Sequence, residues 1–292
     1  MSPRFSAVVV ARNEEALIRR CLESVAWCDE RILIDMDSSD DTRELATPLA
    51  TKIIPQEWIP HMEWARNRGI ELATGDWILD VDADEVITAT LAERLRAQVA
   101  SAGGTAGIWI PRMSCWSGRR LPHIGGFPDH QLRCFRRGAG LYPDRLHSHP
   151  EIDGRTIFLP IEEDAWILHE RDGQTIGDLV RKWDEYADKE ARAQFRDGGA
   201  PPSPLAMLWA AASAFRFRFF VAKGYRDGVA GLVLSVLFAF YRFETEAKRW
   251  EGARYPREGD ATVQRLGSLP RLAAALTGHG CRRLWARRRS VR

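Results

Sequence analysis

The sequence predicts an α/β fold, a mostly parallel sheet with helices on both faces, followed by a helical extension. Three observations predict it. From residue 5 to about residue 113, short β-branched runs alternate with helix-length amphipathic runs, the order that builds a parallel sheet with right-handed crossovers. The chain then becomes aromatic, Gly- and Pro-rich, without helix-length periodicity. From Thr175 it returns to helical spacing and stays there.

Strands are expected at Ser6 to Ala11, Arg31 to Asp35, Lys52 to Pro55, Trp77 to Val81 and Gly107 to Pro111. Between them, Glu14 to Val25 places Ala16, Leu17, Cys21, Leu22 and Val25 at helical spacing. Asp40 to Ala50 opens with Asp and Thr, residues that start helices, and Met62 to Ala73 supplies a third helix. Further strands at Gln131 to Arg136 and Thr156 to Leu159 read as an elaboration packed on the sheet. A breaker, Gly198-Gly199-Ala200-Pro201-Pro202, precedes the helices Leu205 to Val221 and Gly228 to Trp250, both rich in Leu, Phe and Trp. The expected divisions are residues 1–170, a helical extension at 171–255 and a basic tail at 256–292.

A chain of 292 residues with 45% hydrophobic content can bury a substantial core. Its net charge of +2 is too mild to imply a nucleic-acid partner, although Cys281 to Arg289 is locally basic. The five cysteines are scattered without a Cys-x-x-Cys pair, which fits a reducing cytosol better than a disulfide framework or zinc knuckle. No export signal opens the chain. The longest near-apolar run, Val229 to Tyr241, falls short of the roughly 20 residues of a spanning helix, so none is expected.

The chemistry concentrates at Asp80-Val81-Asp82-Ala83-Asp84-Glu85, where a buried-type strand ends in carboxylates. Loops beyond the carboxyl ends of parallel strands form the ligand crevice. Two carboxylates one residue apart can hold a hard divalent cation with positions open for diphosphate oxygens. The competing reading is an acidic cap on a helix beginning near Thr88. Arg12-Asn13-Glu14 after the first strand and Asp35 to Asp41 after the second favour the crevice, because they add polar groups on the same sheet edge. A calcium loop at Asp35 to Asp41 is excluded by the missing Gly and bidentate Glu.

Residues 5 to 95 resemble the nucleotide-binding half of family-2 glycosyltransferases with the Rossmann-like GT-A fold. The resemblance rests on Val8 to Glu15, Ile34 to Thr42, Ala65-Arg66-Asn67 and Asp80 to Glu85. Phe127 to Arg137, His147-Ser148-His149, Ile167-Leu168-His169, Gly224 to Gly228 and Ala239 to Phe243 resemble the lipopolysaccharide-core β-1,4-glucosyltransferase subgroup. Together they cover roughly residues 5 to 250 and leave the basic tail unexplained.

The resemblance implies that Ala11, Arg12, Asn13, Glu14 and Asp35 bind the nucleoside, with Asp35 accepting from uracil or ribose. Arg66 and Asn67 would face the donor's diphosphate or sugar. Asp82 and Asp84 would hold Mg2+ or Mn2+ and the diphosphate, with Asp80 and Glu85 supporting. Glu14 can equally start a helix, and Arg66 can be a solvated helix charge. An inverting transfer needs a base for the acceptor hydroxyl, and Asp129 is the choice, with a turn-forming Asp after Pro128 as the alternative. Gln131 and Arg133, two apart on a strand, would point to the diphosphate, or Arg133 would form a structural salt bridge. His149 or His169 would complete the metal site unless each is a hydrogen-bonded structural histidine. Asp37 and Asp41 depart from the family pattern by standing where Gly is usual, and Asp tolerates left-handed backbone better than most residues.

The C-terminal helices combine apolar faces with Arg216, Arg218, Lys223, Arg226, Arg242, Lys248 and Arg249. They can lie against an anionic membrane or pack as a hairpin or subunit contact. The leading expectation is a metal-dependent inverting hexosyltransferase that moves a sugar from a UDP-sugar to a lipid-linked or lipopolysaccharide-core saccharide. It would be cytoplasmic, peripheral on the inner membrane. The rivals are a nucleotidyltransferase, disfavoured by the lack of a Gly-rich basic loop after the first strand, and a catalytically inactive nucleotide- or glycan-binding membrane adaptor.

Overall fold

The computed structural model describes residues 2–59, 62–101, 103–144, 148–170, 175–196 and 200–254. His147 and the basic tail lie outside the described residues. The chain forms two compact units, one of Met1–Ile176 with Phe217–Ser235, the other of Gly177–Arg216 with Val236–Arg292.

In the first unit, β1 (Phe5–Ala11), β2 (Glu30–Asp35), β3 (Lys52–Pro55) and β4 (Trp77–Asp82) run parallel in the order β3-β2-β1-β4. Every residue of β1 is buried, as its continuous apolar run requires of a central strand covered on both faces. The short α1 (Ile18–Ser24), α2 (Thr42–Ala46) and α4 (Ala89–Ala100) cover one face, where Ile18, Leu22, Ala46, Leu91 and Leu95 join Val9, Leu33 and Leu79. On the other face α3 (Met62–Leu72) sets Ala65 and Ile70 against Val8, Val10, Ile32 and Ile34. At Gly69 any Cβ would collide with Val8, so glycine lets α3 approach the sheet.

Past β4 the sheet becomes mixed. Next to it lie β8 (His130–Arg136), β6 (Thr105–Trp116), β12 (Ile167–Glu170) and β5 (Glu85–Ile87), in that order. The pairings β4·β8, β8·β6 and β12·β5 are antiparallel and β6·β12 is parallel. After β6 the sequence holds no helix-length run until residue 175, so the chain returns by loops, with β8 antiparallel and β12 parallel to β6. The small strands β7 (Arg119–Arg120) and β11 (Arg155–Phe158) pair with β6, and β9 (Gly140–Leu141) pairs with β10 (Glu151–Ile152).

The first two helices are shorter than the sequence pattern suggests, because their leading residues are taken by loop-to-loop bonds. Glu14 N donates to Thr42 Oγ1 at 2.7 Å and Glu15 N to Asp40 Oδ2 at 3.1 Å.

The second unit contains nearly all of α5 (Ile176–Arg196), α6 (Pro204–Phe215) and the C-terminal part of α7 (Gly228–Arg254). Trp183 of α5 packs edge-on against Phe238 of α7, and Arg242 donates to Glu190 at 2.7 Å. Lys248 bridges Asp184 and Asp188. One expectation is corrected here. Helix α7 runs through Gly231 and Ser235, and α6 continues through a π-helical turn to Val221. Both stretches, Pro204–Val221 and Gly224–Arg254, are therefore long and apolar enough by length and composition to cross a bilayer.

Candidate active site

Strand β4 delivers the acidic run to the carboxyl edge of the sheet, and arginines from two neighbouring elements meet it. Asp80 is fully buried, and its Oδ2 accepts from Arg66 of α3 at 2.7 Å, Arg133 of β8 at 2.8 Å and the Tyr142 hydroxyl at 2.5 Å. Asp82 is paired through one oxygen with Arg66 and through the other with Arg133. Glu85, also buried, accepts from the Asp82 amide at 3.0 Å and from Arg112 of β6 at 3.1 Å. Burial alone would push the Asp82 carboxyl up, but Arg133 and Arg66 outweigh it and hold the group well below the ordinary carboxylate range. Those carboxylates in turn push the buried Arg66 and Arg133 upward against desolvation, so both stay charged.

Beside this layer lies a second set of acids. Asp84, on the turn between β4 and β5, meets His169 of β12, with Oδ2 and Nε2 3.1 Å apart. The strand pairing of His169 with Glu85 and the Glu170 amide bond to the Asp84 carbonyl at 2.8 Å fix that meeting. Asp129 precedes β8. Its Oδ2 accepts twice from Arg112, at 3.0 and 2.6 Å, and its Oδ1 accepts from Gln131 at 3.0 Å. Arg112 therefore bridges Glu85 of the acidic run to Asp129.

The loops after β1 and β2 are knitted to each other. Asn13, in left-handed backbone at φ 55°, accepts the Ser39 amide at 2.8 Å, and its own amide donates to Ser38 at 3.0 Å. Asp37 also adopts left-handed backbone, at φ 59°, so Asp serves there where glycine is usual, whereas Asp41 has an ordinary φ of −78°. Arg12 is exposed and lies 5.1 Å over the ring of Trp58. Ala11 is buried and gives its carbonyl to the Met36 amide. Glu14 is half-buried, and its carbonyl accepts from Leu17 and Ile18.

Several expected roles change in this setting. Asn67 is engaged by the Tyr142 backbone. Its amide group donates to the Tyr142 carbonyl and accepts the Tyr142 amide, both at 2.8 Å, which makes it a staple between α3 and the loop after β9. Arg66 is not a solvated charge, because Asp80 and Asp82 hold it in the interior. Arg133 takes the salt-bridge alternative, and Gln131 reaches Asp129 instead of sharing a target with Arg133. Asp35 is buried and already accepts from Arg43 at 2.5 and 2.9 Å. His149 packs edge-on against Trp109, centroids 4.9 Å apart. Burial first, then Arg133 and Arg112, push its pKa below the ordinary imidazole value. Of the two histidines, it is His169 that meets the run.

Arg112 and Tyr142 were missed. Both lie far along the chain from the carboxylates they touch, and no local pattern marks them. As a metal-binding set, Asp84 with His169 offers a hard oxygen and an imidazole nitrogen side by side, donors that Mg2+ or Mn2+ accept. Asp82 has both oxygens committed to arginines, and among the described residues no group of three potential ligands is assembled.

Known proteins are similar to this chain over most of its length. An uncharacterized glycosyltransferase of Rickettsia typhi is 24% identical over 261 residues, covering 84% of this chain and 86% of its own. The lipopolysaccharide core biosynthesis glycosyltransferase LpsC of Rhizobium meliloti is 26% identical over 272 residues, covering 85% and 92%. Among solved structures, S. aureus TarS 1-349 in complex with UDP-GlcNAc is 16% identical and covers 87% of this chain and 93% of its own, with a TM-score of 0.46. Residues 6–143 match the family model for Glycosyl transferase family 2, so the stretch that carries β1 to β4, the acidic run and Asp129 is a family 2 glycosyl transferase domain.

Proposed function

We propose that this chain is an inverting hexosyltransferase that moves a sugar, glucose being the first candidate, from a UDP-sugar to a lipopolysaccharide-core or other lipid-linked saccharide at the cytoplasmic face of a membrane. One observation carries the reading. The adjacent carboxyl ends of β2, β1 and β4 all open into polar loops, and Arg112 ties the last of these to Asp129. The similarity to LpsC supports the acceptor class.

Asp129 is the base in this reading. Arg112 and Gln131 fix the direction of its carboxylate, which takes the proton of the acceptor hydroxyl as that oxygen bonds to the anomeric carbon. The bond from that carbon to the diphosphate breaks, and the nucleoside diphosphate leaves with the electron pair. Asp84 and His169 would hold a divalent cation, which when bound neutralises charge on the departing diphosphate. The loops bearing Arg12, Asn13 and Glu14 would receive the nucleoside. Asp82, paired with Arg66 and Arg133, keeps the floor of the crevice rigid.

The test is a donor panel of UDP-glucose, UDP-galactose, UDP-N-acetylglucosamine and ADP-heptose, read by nucleotide release with and without EDTA. Release from one UDP-sugar that EDTA abolishes is expected. Release that survives EDTA removes the metal from the reading, and pyrophosphate formation from a nucleoside triphosphate and a sugar phosphate replaces it with nucleotidyl transfer. No turnover of any donor leaves the inactive adaptor.

A further inference from the structure

The segment Phe217–Ser235 belongs to the catalytic unit yet carries a surface unlike the rest of it. Phe217, Phe220, Val221, Tyr225, Val229 and Leu232 are all exposed, Val229 to 73%. Scattered apolar side chains are ordinary on a protein surface, but six within sixteen residues, interleaved with cations, are not. Lys223 and Arg226 are exposed among them, and neither has a carboxylate partner among the described residues. From Pro204 to Phe243 the charged side chains are Arg216, Arg218, Lys223, Arg226, Arg242 and a single acid, Asp227.

That acid is turned inward. Asp227 Oδ1 lies 2.8 Å from His123 Nδ1, and its Oδ2 accepts the buried Ile124 amide at 2.7 Å. Arg218 donates to the Ile124 carbonyl at 3.3 Å. The segment is thereby clamped to the loop that leads to Asp129. Glycine makes the clamp compact. A Cβ on Gly231 would collide with the Gly224 carbonyl, and one on Gly224 would stand 2.7 Å from the Arg218 carbonyl. The outward face is left apolar and cationic.

We propose that Phe217–Ser235 is a docking element for an anionic lipid surface, fixed on the catalytic unit by Asp227, His123 and Ile124. Aromatic and aliphatic side chains enter the headgroup boundary while Lys223 and Arg226 meet the phosphates. The element lies on the bilayer, and α6 does not cross it. Its turn is held on the catalytic unit, so a spanning α6 would place Pro204 on the far side, and α5 would then have to cross as well. Helix α5 carries Asp178, Arg181, Lys182, Asp184, Glu185, Asp188, Lys189, Glu190 and Arg192, which a hydrocarbon core does not admit. The proposal adds a partner surface to the proposed transfer to a lipid-linked acceptor, but it is read without any sugar.

Flotation of the full chain with vesicles tests it. Binding to phosphatidylglycerol/phosphatidylcholine vesicles, weak binding to phosphatidylcholine alone and release by salt are expected. Phe217→Ser/Phe220→Ser/Val229→Ser, with circular dichroism and melting unchanged, should lower the bound fraction at least tenfold. Lys223→Glu/Arg226→Glu should remove the preference for anionic vesicles, by about fivefold for each cation lost. Undiminished flotation of the serine variant assigns binding elsewhere and overturns the proposal. So does resistance to alkaline carbonate extraction, which marks a spanning protein. A stable dimer by light scattering that does not float overturns it too, by showing that a second copy covers the face. Because none of these readouts involves turnover, failure here is separable from failure of the donor panel.

Discussion

The floor and the rim of the candidate site are built from the same residue type in opposite ways. In the floor, Asp80, Asp82 and Glu85 are enclosed by Arg66, Arg133 and Arg112, and their oxygens are largely committed. At the rim, Asp84, no more exposed than Asp82, meets His169, and Asp129 meets Arg112 and Gln131. A buried carboxylate without a counterion is expensive, so the interior of a run that must end in acids is neutralised by guanidiniums. Rim carboxylates remain able to exchange partners, which chemistry requires. Under the proposed function, the floor supplies stability and the rim reactivity.

Four experiments can break that division, in descending order of effect. Arg133→Met removes one of the two guanidiniums that neutralise Asp80 and Asp82 and should cost about 3 kcal/mol of unfolding free energy in urea; no loss would mean that the floor is not a closed charge system. Asp129→Asn should reduce sugar transfer at least about a hundredfold while the melting temperature holds. His169→Ala should raise the metal concentration needed for half-maximal nucleotide release about ten- to a hundredfold, whereas His149→Ala should leave it unchanged. Asn67→Ala should cost about 1–2 kcal/mol of stability with transfer per folded molecule retained, since its bonds run to the Tyr142 backbone.

The floor also predicts a pH dependence. The Asp82 carboxyl is depressed in the folded state by Arg133 and Arg66 against the upward push of burial. Its contribution is therefore complete above the unfolded carboxylate value of about 3.9 and is lost as pH falls toward the lower folded value. Asp82→Asn should flatten the acid limb of stability against pH, and an unchanged limb would show that Asp82 is not held by its arginines.

Much of the parallel half was legible because its signals are local. Val8 to Ala11 and Ile32 to Ile34 are continuous apolar runs that only a doubly covered strand explains, and the acids after Leu79 mark where β4 meets solvent. The short edge strand β5 and its neighbour β12 were not legible, since three or four residues carry no period. The bond of Asn67 to a backbone 75 positions away was not legible either, because no local pattern marks so distant a partner.

The sequence by itself determined that this chain builds an α/β sheet with acids at the carboxyl edge, because strand periodicity and strand ends are written in consecutive residues. Which of those acids are neutralised by arginines was decided only by the tertiary structure. Arg66, Arg112 and Arg133 come from α3, β6 and β8, and only the packing of those elements around β4 closes Asp80 and Asp82 while leaving Asp84 with His169 and Asp129 at the rim. Charge neutralisation depends on distance in space, and distance in space is not encoded in any single stretch of chain.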